Sequence, residues 1–119
     1  MQYVDGYVLP VPTKNLAAYR RMARQCGRIW REHGALAFRE CVGEDMKAQV
    51  GVPFTKLLEL KRGETAMFSW IVYKSRAHRD RVNAKVMKDP RMNEMMEGRE
   101  MPFDCRRMAY GGFEVLVSL

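Results

Sequence analysis

Two histidines, three cysteines and a few carboxylates interleaved with tyrosines are the residues of this chain best suited to chemistry. His78 lies three residues after Ser75, in the first turn of a predicted helix. An imidazole there has an ordinary pKa suited to general-base work near neutrality, which makes His78 the first candidate for a catalytic residue. It also shares a helix face with Val82 and Val86, so packing at the edge of the core accounts for it as simply. His33 closes the first predicted helix, where an imidazolium interacts favourably with the helix C-terminus. A two-histidine metal centre would need both histidines and a carboxylate together, and no metal site is predicted.

Cys26, Cys41 and Cys105 are odd in number and widely spaced, without a CxxC pair or a Cys/His cluster. That pattern speaks against a disulfide framework or a closed zinc site. The three read as small hydrophobes, with Cys105 as an exposed thiol in a turn. A reactive thiol would need surroundings that lower its pKa.

A polar set is the more specific candidate. Tyr3, Asp5, Tyr7 and Leu9 alternate with Val4, Gly6 and Val8 along the first predicted strand. If the valine set lies under the helices, Tyr3, Asp5 and Tyr7 point to the opposite face. Glu114 of the last strand can share that face, and Arg39 of the second strand is a possible counter-charge. Asp5, Tyr7, Arg39 and Glu114 are then candidate ligand-binding residues for a small polar molecule. A structural ion-pair network at an interface is the plainer explanation. There is no P-loop, no GxGxxG between strand and helix, no HExxH and no GxSxG, and no cofactor is expected.

The elements that must position these residues follow from pattern. A chain of 119 residues with 47% hydrophobic and 10% aromatic content is enough for one folded domain spanning 1–119. No apolar run approaches the ~20 residues of a membrane span. The first residues lack the basic start and apolar stretch of a signal peptide, so a cytoplasmic location is expected. The net charge of +7 favours acidic partners in general, and also serves solubility.

Residues 2–9 read as a strand stopped by Pro10 and Pro12. Thr13 is the expected N-cap of a long helix to about His33. Leu16, Tyr19, Met22, Ala23, Cys26, Ile29, Trp30 and His33 form its apolar stripe, arginines fill the remaining surface, and Gly34 is the stop. A second strand is expected over 35–44. The stretch 45–65 reads as an elaborated hairpin whose Lys56-to-Leu60 piece is a short helix or an added edge strand. Residues 66–73 are apolar on both alternating sets and predict a central strand. Ser75 caps a helix to about Lys88, and Asp89-Pro90 starts a short one buried through Met92, Met95 and Met96. A last strand falls in 108–119.

The order is β-α-β-β-α-β, which predicts an α+β fold, ferredoxin-like, with a four-stranded antiparallel sheet. Two helices cover one sheet face, and the apolar central strands need a cover on the other. A homodimer closing sheet on sheet supplies it.

The start Tyr3-Val4-Asp5-Gly6-Tyr7-Val8, the segment Phe68-Ser69-Trp70-Ile71-Val72-Tyr73-Lys74-Ser75-Arg76-Ala77-His78-Arg79-Asp80 and the tail Met108-Ala109-Tyr110-Gly111-Gly112-Phe113 together resemble the bacterial YbaA-like family, small proteins classed as a domain of unknown function. The resemblance spans essentially the whole chain. It implies a dimeric α+β barrel, the fold of small antibiotic-biosynthesis monooxygenases and muconolactone isomerase-like proteins. It implies no established activity and no catalytic residue.

Two function classes follow. The first is a cofactor-free small-molecule enzyme, monooxygenase- or isomerase-like, or a ligand-binding protein, with a cleft between sheet and helices. The second is a non-enzymatic module binding RNA or an acidic protein through its arginine-rich face. Tyr3, Tyr7, Phe68 and Trp70 would stack bases in an RNA-recognition fold, yet the RNP1 pattern is absent from 66–73 and dimerisation would bury those rings. Trp30 and Trp70 fit core packing better than a pocket for a flat ligand. The first class is preferred.

Overall fold

The computed structural model describes all 119 residues. Strand β1 (Tyr3–Pro12) is central, because its tyrosines and valines suit a sheet covered on both sides. It pairs antiparallel with β3 (Glu64–Tyr73) on one flank and β4 (Ala109–Glu114) on the other. Edge strand β2 (Ala37–Val42) pairs with β3, giving one antiparallel sheet in the order β2-β3-β1-β4. Four helices complete an α+β architecture: α1 (Leu16–Glu32), the single turn α2 (Phe54–Leu57), α3 (Arg76–Lys88) and α4 (Pro90–Met96). None is long and apolar enough to cross a membrane.

The predicted stripe of α1 is its packed face. Tyr19 and Ala23 bury against Leu9, Val11 and Met67, while Ile29 joins Ile71, Tyr73, Val82, Val86 and Met92. The helix ends as the sequence predicts. Gly34 takes φ +117°, Gly34 N–H donates to Arg31 and Ala35 N–H to Trp30, so the last carbonyls are satisfied. Its start differs. Thr13–Asn15 form a 3-10 turn, no side chain caps the helix, and Asn15 instead donates through Nδ2 to the Pro102 carbonyl at 3.1 Å. Ser75 does cap α3, accepting from His78 N–H at 3.1 Å. Asp89 caps α4, with Pro90 at its first turn, and its carboxylate also meets His33 Nε2 and the Arg91 guanidinium at 2.8 Å each. Those bonds hold its pKa well below the usual carboxylate range. One acid thus ties the end of α1 to the junction of α3 and α4.

The stretch 45–65 adds no strand. Its one helical turn places Phe54 beside Phe68, ring centroids 6.2 Å apart. The last strand ends at Glu114, after which Leu116, Val117 and Leu119 are exposed.

The sheet has one covered face. Asp5, Leu9, Val11, Met67, Ser69, Ile71 and Tyr73 lie beneath the helices and are buried. Val4, Gly6 and Val8 are registered with Val72, Trp70 and Phe68 on the opposite face. There Phe68, with the Phe54 ring beside it from outside the sheet, remains 45% exposed and Phe113 61% exposed, large apolar side chains on a face that no helical layer covers.

Candidate ligand cleft between α1 and the sheet

The four residues proposed as a polar cluster are divided by the strand register. Asp5 and Tyr7 face the helices, and Glu114, registered with Tyr3, shares that side but is exposed. Arg39 is registered with Trp70, on the other face of the sheet. The counter-charge of Asp5 comes instead from α3, where Arg79 Nη1 lies 3.1 Å from its Oδ1. Asp5 is 1% exposed, and burial pushes its carboxyl up while Arg79, Asn83 and Tyr73 pull it down. Arg79 sits 4.9 Å over the Tyr3 ring and 2.9 Å from the exposed Asp80. Asn83 Oδ1 accepts from Tyr73 at 3.2 Å and from Trp30 at 3.1 Å, so the network links β1, β3, α1 and α3. Tyr7 stacks on Tyr110 at 5.8 Å, its hydroxyl pushed up to about 12 by burial and then by Asp5.

His78 has a structural place. Its Nδ1 accepts from Lys74 N–H at 2.9 Å, and its ring lies edge-on to Tyr73 at 6.0 Å. Desolvation first, then Lys74, Arg81 and Lys85, lower its pKa. The acceptor nitrogen is already used, at the start of α3.

The main recess of the structure lies elsewhere, between α1 and the β2 side of the sheet. An outer groove of about 720 Å³ is lined by Leu16, Phe38, Val42 and Met67, with Arg20, Arg24 and Arg28 along α1. An inner cavity of about 160 Å³ extends beneath α1, lined by Tyr7, Leu9, Cys26, Trp30, Ile71 and Met108. Tyr19, Ala23, Phe38 and Glu40 line both, and so does Arg39, which borders them from the edge strand although the register turns it to the other face. The approach of α1 to β2 depends on Gly27, where a Cβ would stand 2.7 Å from the Phe38 ring.

Glu40 stands where the two spaces meet. It follows Phe38 by two and precedes Val42 by two, so the pleat turns it to the helix side with them, opposite Ser69. Tyr19 Oη donates to its Oε1 at 2.8 Å. Desolvation raises the Glu40 carboxyl above its ordinary value, and hydrogen bonds from Tyr19 and Ser69 oppose the rise. None of the ion pairs of the fold includes it. A carboxyl that makes no ion pair, sits in a largely apolar recess and has a raised pKa is suited to general acid-base work. The neighbouring nucleophiles are not suited: burial pushes the Cys26 thiol up to about 11 and raises Tyr19 strongly. Nowhere do three His, Cys, Asp or Glu side chains converge as metal ligands.

Glu40 escapes a reading by residue type because it sits among Arg39 and Cys41 on an edge strand. The signal is the alternation Phe38, Glu40, Val42, one acid inside an otherwise apolar set.

An antiparallel sheet with one helical layer and a carboxyl-bearing cleft beneath α1 defines an α+β protein of cleft type. The family described as "Protein of unknown function (DUF1428)" matches residues 2–105, and the chain belongs to that family. It is 43% identical over 118 residues to the uncharacterized protein YbaA of Escherichia coli K12, covering 99% of each chain. The YbaA protein of Shigella flexneri matches with the same identity and coverage. Among solved structures, the de novo designed protein Foldit4 aligns over 97% of this chain and 99% of its own, with 9% identity and a TM-score of 0.49, too distant to speak for fold or function.

Proposed function

We propose that the chain is a cofactor-free, isomerase-like enzyme that moves a proton on a small molecule held between α1 and the sheet, with Glu40 as the proton acceptor and donor. The observation that carries this reading is the Glu40 carboxyl, set in a largely apolar cleft, bonded to Tyr19 at 2.8 Å and paired with no cation. The Tyr19 hydrogen bond holds the carboxyl in place, and the close approach of Gly27 to Phe38 sets the width of the cleft. Raising the carboxyl's pKa makes it a stronger base when ionised and brings its titration closer to the working pH, as proton transfer requires.

The strand order supports a ferredoxin-like layout, and the uncovered face bearing Phe68, Trp70 and Phe113 supports a two-fold homodimer closed sheet on sheet. In that assembly each subunit keeps its own cleft, because α1 lies on the opposite side of the sheet. A cytoplasmic location agrees with such chemistry on a metabolite.

The test is a thermal-shift screen of small enolisable metabolites, with hits incubated in heavy water and followed by proton NMR. Stabilising ligands are expected to exchange a carbon-bound proton with wild-type protein and not with Glu40→Gln. Exchange that persists in Glu40→Gln would remove Glu40 from the chemistry.

A further inference from the structure

We propose that the occupant of this cleft is an organic anion with a small apolar body, its charge held by Arg20, Arg24 and Arg28 and its body directed toward Glu40. The inference rests on the cleft reading above and names the class of its ligand.

Positions 20, 24 and 28 are four apart, so the three guanidinium groups rise along one face of α1 at about 6 Å per step. All three line the outer groove and are exposed. Four other arginines of the fold, Arg79, Arg91, Arg106 and Arg107, each pair with a carboxylate. Arg31 donates to the carbonyls of Ala35 and Leu36. Arg20, Arg24 and Arg28 take part in none of these bonds, a freedom shared with Arg21, Arg62, Arg76, Arg81 and Arg99; what sets the three apart is that they line the groove together. Like charges four apart oppose helix formation, so the row does not serve the stability of α1. Placed over a recess with apolar walls, it focuses a positive potential at the mouth of the cleft.

The inner space sets the body of the ligand. About 160 Å³ walled by Leu9, Trp30, Ile71 and Met108 is close to the size at which an apolar cavity accepts a benzene ring. The outer groove, about 720 Å³, falls within the range of small-molecule sites and leaves room for a charged head. A polynucleotide would need aromatic platforms beside the arginines. The exposed rings of Phe68 and Phe113 lie on the other side of the sheet.

Trp30 lines the inner cavity and reports occupancy by fluorescence. The probes are benzoate, phenyl phosphate and the neutral benzyl alcohol, titrated into wild-type protein and the double variant Arg24→Gln/Arg28→Gln. Both anions are expected to bind the wild type, to weaken with salt, and to lose on the order of tenfold in affinity in the variant, as lost charge-assisted bonds would give. Benzyl alcohol should bind both proteins equally and more weakly. Equal affinity for all three probes, unchanged by the substitutions, would overturn the anion class while leaving the cleft. Failure of every probe to perturb Trp30 would overturn the cleft itself. Tight, salt-sensitive binding of a polyuridine oligomer lost in the variant, without binding of the small anions, would make the arginine row a nucleic-acid surface instead.

Discussion

The Tyr19 hydroxyl donates to the Glu40 carboxylate at 2.8 Å, so a single hydrogen bond joins α1 to edge strand β2 across the cleft. Both partners pay in desolvation for that position, and each has a raised pKa in consequence. A bond of this kind orients a carboxyl without neutralising it.

Stability should therefore depend on the state of Glu40. Its folded pKa lies above the ordinary 4.5, so its contribution is full below that value and is lost as pH rises through the folded pKa. Glu40→Gln escapes this loss. Denaturant unfolding should show the variant close to wild type at about pH 4 and more stable than wild type at about pH 8. A variant less stable at the higher pH would mean that the ionised carboxylate is favoured by the fold.

Asp5 and Asp80 both contact Arg79, but only Asp5 is buried. Asp5→Ala strands the guanidinium under α3, and a loss of roughly 3 kcal/mol is expected. Asp80→Asn, at a side chain 61% exposed, should change stability by less than about 1 kcal/mol. Equal effects in urea titrations would show that Arg79 does not depend on Asp5.

Gly27→Ala sets two effects against each other. Helix propensity favours alanine by about 1 kcal/mol, whereas a Cβ 2.7 Å from the Phe38 ring overpacks the contact at a cost of about 1–3 kcal/mol. The balance predicts a net loss near 1 kcal/mol. The same substitution in a Phe38→Leu background should be neutral or stabilising, which a double-mutant cycle of melting curves would show.

On the uncovered sheet face, Trp70→Glu and Phe113→Glu should convert a dimer into a species of the 13.9 kDa chain mass by light scattering. An unchanged dimer in both variants would place the interface elsewhere.

The helices were legible because their signals are local. The stripe of α1, Gly34 at positive φ, the Ser75 cap and the Asp89-Pro90 start each depend on residues within a few positions. The face of β1 was not legible. Both of its alternating sets can be buried, and the choice is made by Arg79, 74 positions along the chain from Asp5. Thr13 looked like a cap, but the 3-10 turn over Thr13–Asn15 moves the helix start beyond its reach. Glu40 was hidden because its environment comes from Tyr19 and Ser69 on other elements, and only the fold brings them together.

The most direct measurement on Glu40 as the proton-transfer group of the cleft is a carbon-13 NMR titration of its side-chain carboxyl in the ligand-free protein. A midpoint clearly above 4.5 is expected, shifting further upward when Tyr19→Phe removes the hydrogen bond that opposes the rise. A midpoint at or below 4.5 would show a solvated or cation-paired carboxylate, and would contradict a role for Glu40 in proton transfer.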